Sequence, residues 1–564
     1  MQSLRSTWGG IALAAIAAVV FQGRPLAQTT GTPRLRAGAL AAEMTIDGAL
    51  DEPTWRDAPP SDAFTQSDPD QGAAPSMHTT VQVLAGANAL IVGIVCDTPD
   101  PSAIVSFSVR RDAPLGNEDH VRVVLGPFMD GRSGYVFAVN PSGARYDAII
   151  NPGGESENGD WDGIWEAATR RTTTGWSVEM RIPMQTLSFK PDLHEWHFNV
   201  QRHIQRALET DRWASPQRQY QITQTSRAGV LTDLPSFNQG LGLTVRLAMT
   251  SGGGVPAHAA PVDGEFQPSL DVTQRLGSGL LASLTVNTDF AETEVDTRRT
   301  NLTRFPLFFP EKRTFFLEGA DIFSFGLGLG QDVIPFFSRR IGLVNGTAVP
   351  IAAGGKVNGR VGNVNVGGIS AGTRAERGVV NDASHMAVGR VKQNLWSESW
   401  IGAIVTTGDP LGRGGSWLGG TDFTYSTSRF RGNRNLRLGT WWLGTGRDRL
   451  GSDATAYGFT ADYPNDVWDL NLIYKRIGRD FDPSLGFVPR RAAQLINAQI
   501  NNRTRLRGPL QQLTHQVQGR MALDLAGRWE SYSSLFAPIN WRFRSGDRME
   551  VRSEEHTSEL QSRF

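Results

Sequence analysis

Along the first half of the chain, apolar and polar residues alternate in short runs. Gly175-Trp176-Ser177-Val178-Glu179-Met180-Arg181-Ile182-Pro183 does so without a fault and stops at proline, the pattern of a strand with one buried face. Thr80–Leu84, His120–Leu125 and Trp196–Ile204 alternate in the same way, while Leu90–Val95 is a continuous apolar run suited to a central strand. Gly, Pro and Asp turns separate these runs, and from about Thr45 to Leu234 the pattern predicts a β-sandwich. From about Asn238 onward the alternation weakens. Leu270–Gln274, Leu280–Val286, His385–Val391, Trp400–Thr406, Leu436–Leu443, Val467–Tyr474 and Met521–Tyr532 show it faintly, and many carry Gly, Trp or Tyr near their ends. A strand that crosses a bilayer needs about 9–11 residues with one face to lipid and one to a lumen, so each such segment signals weakly. At this level a second soluble sandwich and a transmembrane barrel are both open.

The N-terminus narrows the choice. Arg5 precedes the apolar run Ile11–Phe21, and Pro25-Leu26-Ala27 follows, so residues 1–27 resemble a secretory signal peptide. No uninterrupted apolar run approaches the roughly 18 residues of a membrane helix, which leaves a closed β-barrel as the one spanning structure allowed. A length of 564 residues implies two or three units. The balance of 56 basic against 56 acidic residues gives a nucleic-acid partner no support. Cys96 is the single cysteine, which excludes internal disulfides and cysteine-based zinc sites.

One segment breaks both patterns. Val295, Leu302, Phe305 and Phe309 recur at helical spacing, with Glu292, Glu294 and Asp296 before Arg298, Arg299 and Arg304, an order that suits the dipole of a short helix. Pro306 and Pro310 prevent its continuation and make a central strand improbable. The expectation is a buried helix-to-extended connection in which Glu311, Lys312 and Arg313 pair among themselves or across a cavity.

The residues here carry a resemblance. Asn287–Asp296, Asn301–Phe305 and Phe308-Phe309-Pro310-Glu311-Lys312-Arg313-Thr314-Phe315-Phe316-Leu317-Glu318-Gly319 resemble the hallmark of a bacterial family that joins a module similar to family 9 carbohydrate-binding modules to a C-terminal barrel domain of unknown function. Ile46-Asp47-Gly48-Ala49-Leu50-Asp51-Glu52-Pro53-Thr54-Trp55 is similar to the opening motif of those modules, and Phe137–Gly143, Trp161–Trp165 and Gly175–Pro183 are further matches. The resemblance implies an all-β chain: a carbohydrate-binding-like β-sandwich over 40–235, then an antiparallel outer-membrane-type β-barrel over 238–551. It implies an exported protein in the cell outer membrane, with the sandwich periplasmic or barrel-associated and with outer-membrane lipid and a poly- or oligosaccharide as partners. Phe309, Glu311, Lys312, Arg313 and Glu318 form its barrel signature.

Candidate chemistry follows from what sugars require, namely aromatic rings for their C–H faces and planar bidentate groups for their hydroxyls. Trp161 and Trp165 flank Asp162 in a loop rich in Gly, Asn and acids, whereas Trp55, Trp176 and Trp196 sit on the apolar phase of their segments and read as core. Arg110, Arg111, Asn117 and Asp119 gather polar groups at a strand entrance, and Asn140 lies in a matched motif. Glu155, Glu157 and Asp160 could hold a structural Ca²⁺, an oxygen-seeking ion, although a solvated acidic loop is the leading reading of them. No other cofactor is expected. No catalytic residue stands out: Gly368-Ile369-Ser370-Ala371-Gly372 has the letters of a nucleophile elbow without the helix that should follow. Glycan binding or uptake leads; an exported hydrolase of glycosyl bonds and a structural envelope protein are the alternatives. Residues 552–564 read as the translation of a sequencing adaptor, so the barrel is expected to lack its closing strands.

Overall fold

The structure, a computed structural model, describes residues 31–557 except 42, 152, 155, 239–240, 255–262, 278, 288–299, 302–303, 345 and 377. The signal-like segment 1–27, Glu155, the 292–299 part of the expected helix and residues 558–564 therefore lie outside the described residues. Residues 34–564 form one compact unit, and no described helix is long and apolar enough to cross a membrane.

The first half is a sandwich of a nine-stranded and a five-stranded sheet. Strands Thr79–Ala85, Ala89–Asp97 and Gly175–Pro183 pair antiparallel in the smaller sheet, and His120–Gly126, Tyr135–Val139 and Trp196–Ile204 form the middle of the larger one. Their facing apolar positions meet in one core: Val81, Val83, Val92 and Val178 from one sheet against Val123, Phe137, Trp196 and Phe198 from the other, all buried. Ala89–Asp97 carries a continuous apolar run because its second face is covered too, by Met44, Trp55 and Ala58. That cover is pinned by Glu179. Its buried carboxylate accepts from the Asp47 and Gly48 amides at 3.0 Å and from Trp55 Nε1 at 3.1 Å. Two motifs far apart in sequence thus meet at one acceptor.

The second half is built on a fifteen-stranded antiparallel sheet whose successive strands pair from Leu243–Gly254 to Arg548–His556, with a small two-stranded pair, Leu343–Val344 and Thr347–Ala348, between its third and fourth strands. Among the described residues no pairing joins the first strand to the last. Gly368–Gly372 lies within strand Val364–Thr373, as a barrel-strand reading requires. Met521–Tyr532 is not one segment but the end of Leu510–Asp524 and the start of Trp529–Phe543. The Asp524 carboxylate accepts from the Ala526 and Arg528 amides and so builds a turn that the apolar spacing hid.

The sheet buries charged and polar groups on its inner face, beside apolar patches, and turns apolar side chains outward. In Trp417–Phe430 the buried phase holds Asp422, Thr424, Ser426 and Ser428, and the opposite phase holds Trp417, Phe423 and Tyr425. In Ser384–Leu395 the buried phase includes Arg390, Lys392 and Asn394, while Val391 is exposed. The inner face is filled by residues 313–341, whose one helical turn, Thr314–Leu317, follows the extended, proline-marked stretch. Phe315, Phe316 and Phe323 pack on Ile369, Met386 and Val388, and Phe325, Leu329 and Val333 pack on Leu418, Trp441 and Leu443. Backbone carbonyls of this insert receive buried cations: Lys356 Nζ bonds the Glu318 oxygen at 2.7 Å, Lys475 Nζ the Leu329 oxygen at 2.6 Å, and Arg390 Nε the Ser324 oxygen at 3.1 Å.

The sandwich sits against the short-turn end of the sheet. Arg132 bonds carbonyls of Leu395, Trp396 and Ser399, Tyr220 bonds those of Ser428 and Asn433, and Asp70 pairs with Arg544. These contacts require a curled sheet. Arg275, whose Nη2 meets the Leu187 carbonyl at 3.3 Å, lies in the second of fifteen strands, and Arg544 directly follows the fourteenth. Twelve spacings of about 4.8 Å would cover roughly 58 Å if flat. A compact domain the size of the sandwich is only about 40 Å across.

Candidate functional site

The Trp161–Trp165 loop is organised by Asp147, a fully buried carboxylate in strand Arg145–Ile150. It accepts from the Gly163 amide at 2.5 Å, from Arg111 Nη2 at 2.6 Å and from Trp165 Nε1 at 3.1 Å. Gly163 is needed there, because a Cβ would lie 2.8 Å from the Trp161 ring. Burial nevertheless raises the Asp147 carboxyl above its ordinary value, and burial together with Asp147 lifts Asp112 to about 6.

This geometry reassigns several sequence candidates. Trp165 is not open to a sugar: it is 3% exposed, edge-to-face with Phe137 at 5.1 Å, and covered by the Arg145 guanidinium at 5.7 Å. Asn140 is likewise committed. Its amide donates to the Ser108 carbonyl and Glu118, and its oxygen accepts from the Ser142 and Ala144 amides. Asp119 is buried and accepts from the Gln205 amide at 2.6 Å, so it holds a strand end and does not face a ligand. Arg111 clamps Asp147, the Gly163 carbonyl and Asp162. Arg110 and Asn117 are exposed and stand apart from these bonds. Of the calcium set, Glu155 lies outside the described residues, Glu157 meets Arg122 at 2.5 Å and Tyr146 at 2.9 Å, and Asp160 lies within the electrostatic influence of Lys312. Partial desolvation raises the Asp160 carboxyl, with Lys312 opposing.

Trp161 has a different setting. It is half-buried, 5.0 Å from Tyr135, and lines a cleft of ≈ 80 Å³. One wall is the sandwich, with Phe128, Tyr135, Trp161 and Phe189. A second is the ends of the sheet strands, with Arg275, Asn358 and Arg360, and the third is the insert, with Glu318, Gly319 and Asp321. Arg360 pairs with Asp321 at 2.7 Å and lies 4.3 Å over the Phe128 ring. Gly319 has φ +71°, and a Cβ there would meet the Asn358 amide at 2.0 Å, so only glycine lets the insert turn beside that side chain. Sequence reasoning missed Asn358 and Arg360 because they sit in an ordinary strand, Ile351–Val361; the one available signal was a polar phase in a glycine-rich run.

The signature residues are tied to one another. Arg313, 2% exposed, forks onto Glu311 at 2.9 and 2.7 Å and bonds the Ile341 and Ser338 carbonyls, with its guanidinium 4.2 Å over Phe316. Arg339 lies 5.8 Å over Phe309 and bonds the Pro310 carbonyl. Phe308, Phe337 and Phe487 form an aromatic cluster at 5.4–5.7 Å.

A family model described as a domain of unknown function (DUF5916) matches residues 269–364. No curated protein matches the chain. Among solved structures, it is similar to a carbohydrate binding module family 9 from Caldicellulosiruptor kristjanssonii in complex with cellotriose, at 16% identity over 36% of this chain and 93% of that one, TM-score 0.26. It is also similar to a structure from Bacteroides uniformis described as a candidate carbohydrate-binding protein, at 11% identity over 36% of this chain and 99% of that one, TM-score 0.31.

Proposed function

We propose that this chain is an outer-membrane β-barrel protein whose sandwich caps the barrel on the periplasmic side and takes part in glycan binding or uptake. The observation that carries this reading is the inverted sheet. Its outer phase shows Val357, Val391, Ile401, Val405, Leu438 and Phe459, each at least 37% exposed, while its inner phase buries charge. In water that arrangement is unfavourable on both faces; against lipid the apolar side is solvated and the polar side is shielded. Exposed Trp417 near one end of its strand and Tyr425 eight residues on, beside exposed Trp396, bracket this band. Eight residues tilted by about 40° span roughly 20 Å, close to the apolar height of such barrels. Short turns in barrels of this type face the periplasm, and the sandwich is docked on that end. A glycan role rests on the sandwich, on the motifs it shares with family 9-like modules and on Trp161 in an open cleft.

The test is tryptophan quenching in bilayers of brominated phosphatidylcholine, comparing full-length protein with Trp417→Phe and Trp442→Phe. The expected result is strong quenching that each substitution reduces. A protein that stays in the aqueous phase, or whose quenching is unaffected by both changes, overturns the membrane reading.

A further inference from the structure

The cleft at the seam is walled by three parts of the chain, and its polar groups are not all used. Asn358 is 2% exposed, yet its side-chain oxygen has no hydrogen-bond partner, and the Arg360 Nε beside it has none. Unmade bonds of this kind are costly in a buried site, which marks them as places where a ligand's hydroxyls would be accepted or would donate. Opposite them stand the rings of Trp161 and Tyr135, tilted at 45° to one another and suited to the C–H faces of a sugar. The charges present compensate each other, Arg360 with Asp321, so the site favours a neutral polyol over an anion. From these features we infer that the seam is a binding site for a neutral oligosaccharide, with Trp161 stacking and Asn358 and Arg360 bonding hydroxyls. The inference rests on the glycan-binding reading above and deepens it.

The site is composite. Glu318 and Asp321 belong to the insert that fills the sheet, and Trp161 belongs to the sandwich, so one ligand touches both. A sugar bound here bridges the cap and the insert.

The experiment is isothermal titration of the detergent-solubilised full chain with cello-, malto-, xylo- and chito-tetraose. At least one series is expected to bind, and Trp161→Phe and Asn358→Asp are each expected to weaken it at least tenfold, with Trp417→Phe unchanged. Both test substitutions keep shape, and the native near-ultraviolet circular dichroism of each variant is checked first; if Asn358→Asp misfolds, Trp161→Phe decides. Binding that persists undiminished overturns the seam site and leaves glycan binding standing elsewhere. Binding of no series overturns both, while lipid quenching still reports the membrane reading on its own.

Discussion

Strands Trp196–Ile204 and Trp417–Phe430 each present two distinct faces, yet they are buried in opposite senses. In the first, Trp196, Phe198 and Val200 point into the sandwich core. In the second, Asp422, Thr424 and Ser426 point inward, and Trp417, Phe423 and Tyr425 point out. Period-two alternation divides a strand into two faces but does not say which face is inside. The medium on each side decides that: water outside a sandwich selects apolar residues for the core, and lipid outside a barrel selects the reverse.

Substitutions can break this contrast. The largest effects are expected where each half hides its most committed groups. Trp196→Ala should cost about 3–5 kcal/mol by emptying a core position. Asp422→Ala should cost a comparable 3–5 kcal/mol, because it strands the buried Arg390 guanidinium, now 2.6 Å away, and the Trp400 indole N–H. Both are read by urea unfolding of the full chain in micelles. Next is Val405→Arg on the outward face of strand Ser399–Thr407. It should cost about 2–4 kcal/mol in a bilayer and almost nothing in water. Refolding yields into lipid vesicles measure it, and a silent result would place that face in water. Smaller is Arg313→Lys, which keeps the charge but loses the fork onto Glu311 and should cost about 1–3 kcal/mol.

A further change is one of slope. Asp211 is fully buried, and burial followed by the neighbouring Glu209 raises its carboxyl to about 8. Between the ordinary carboxylate value near 4 and that point, the folded protein holds a proton that the unfolded chain has released. Stability should therefore fall as pH rises from about 4 to about 8 and level off above. Asp211→Asn should flatten that decline, as thermal melts at pH 5, 7 and 8.5 would record. A parallel decline in the variant would assign the pH dependence to other groups.

The legible parts of the sequence were those whose pattern is local. Thr80–Leu84, His120–Leu125 and Gly175–Pro183 announce strands because the main core selected the apolar phase of each, and Leu90–Val95 does so as a continuous run covered on both faces. Ile351–Val361 was passed over, since glycines dilute the alternation on both phases. Trp55, Trp176 and Trp196 sit in the interior, as their phase indicates. Trp161 and Trp165, four residues apart in one motif, could not be told apart by spacing. Asp147 captures the Trp165 indole N–H, while the Trp161 ring lies against Tyr135 at the cleft.

By itself the sequence determined an all-β chain in two halves, a proline-broken aromatic segment within the second half and its Glu311–Arg313 charge set. Each follows from residues near in sequence acting through backbone geometry and periodicity. Tertiary structure alone decided that the sandwich caps the turn end, that the insert fills the sheet, and that Trp161, Asn358 and Asp321 share one cleft. Those residues are brought together by curling the sheet under the sandwich, and the direction of that curl depends on what lies outside it, which no local pattern encodes.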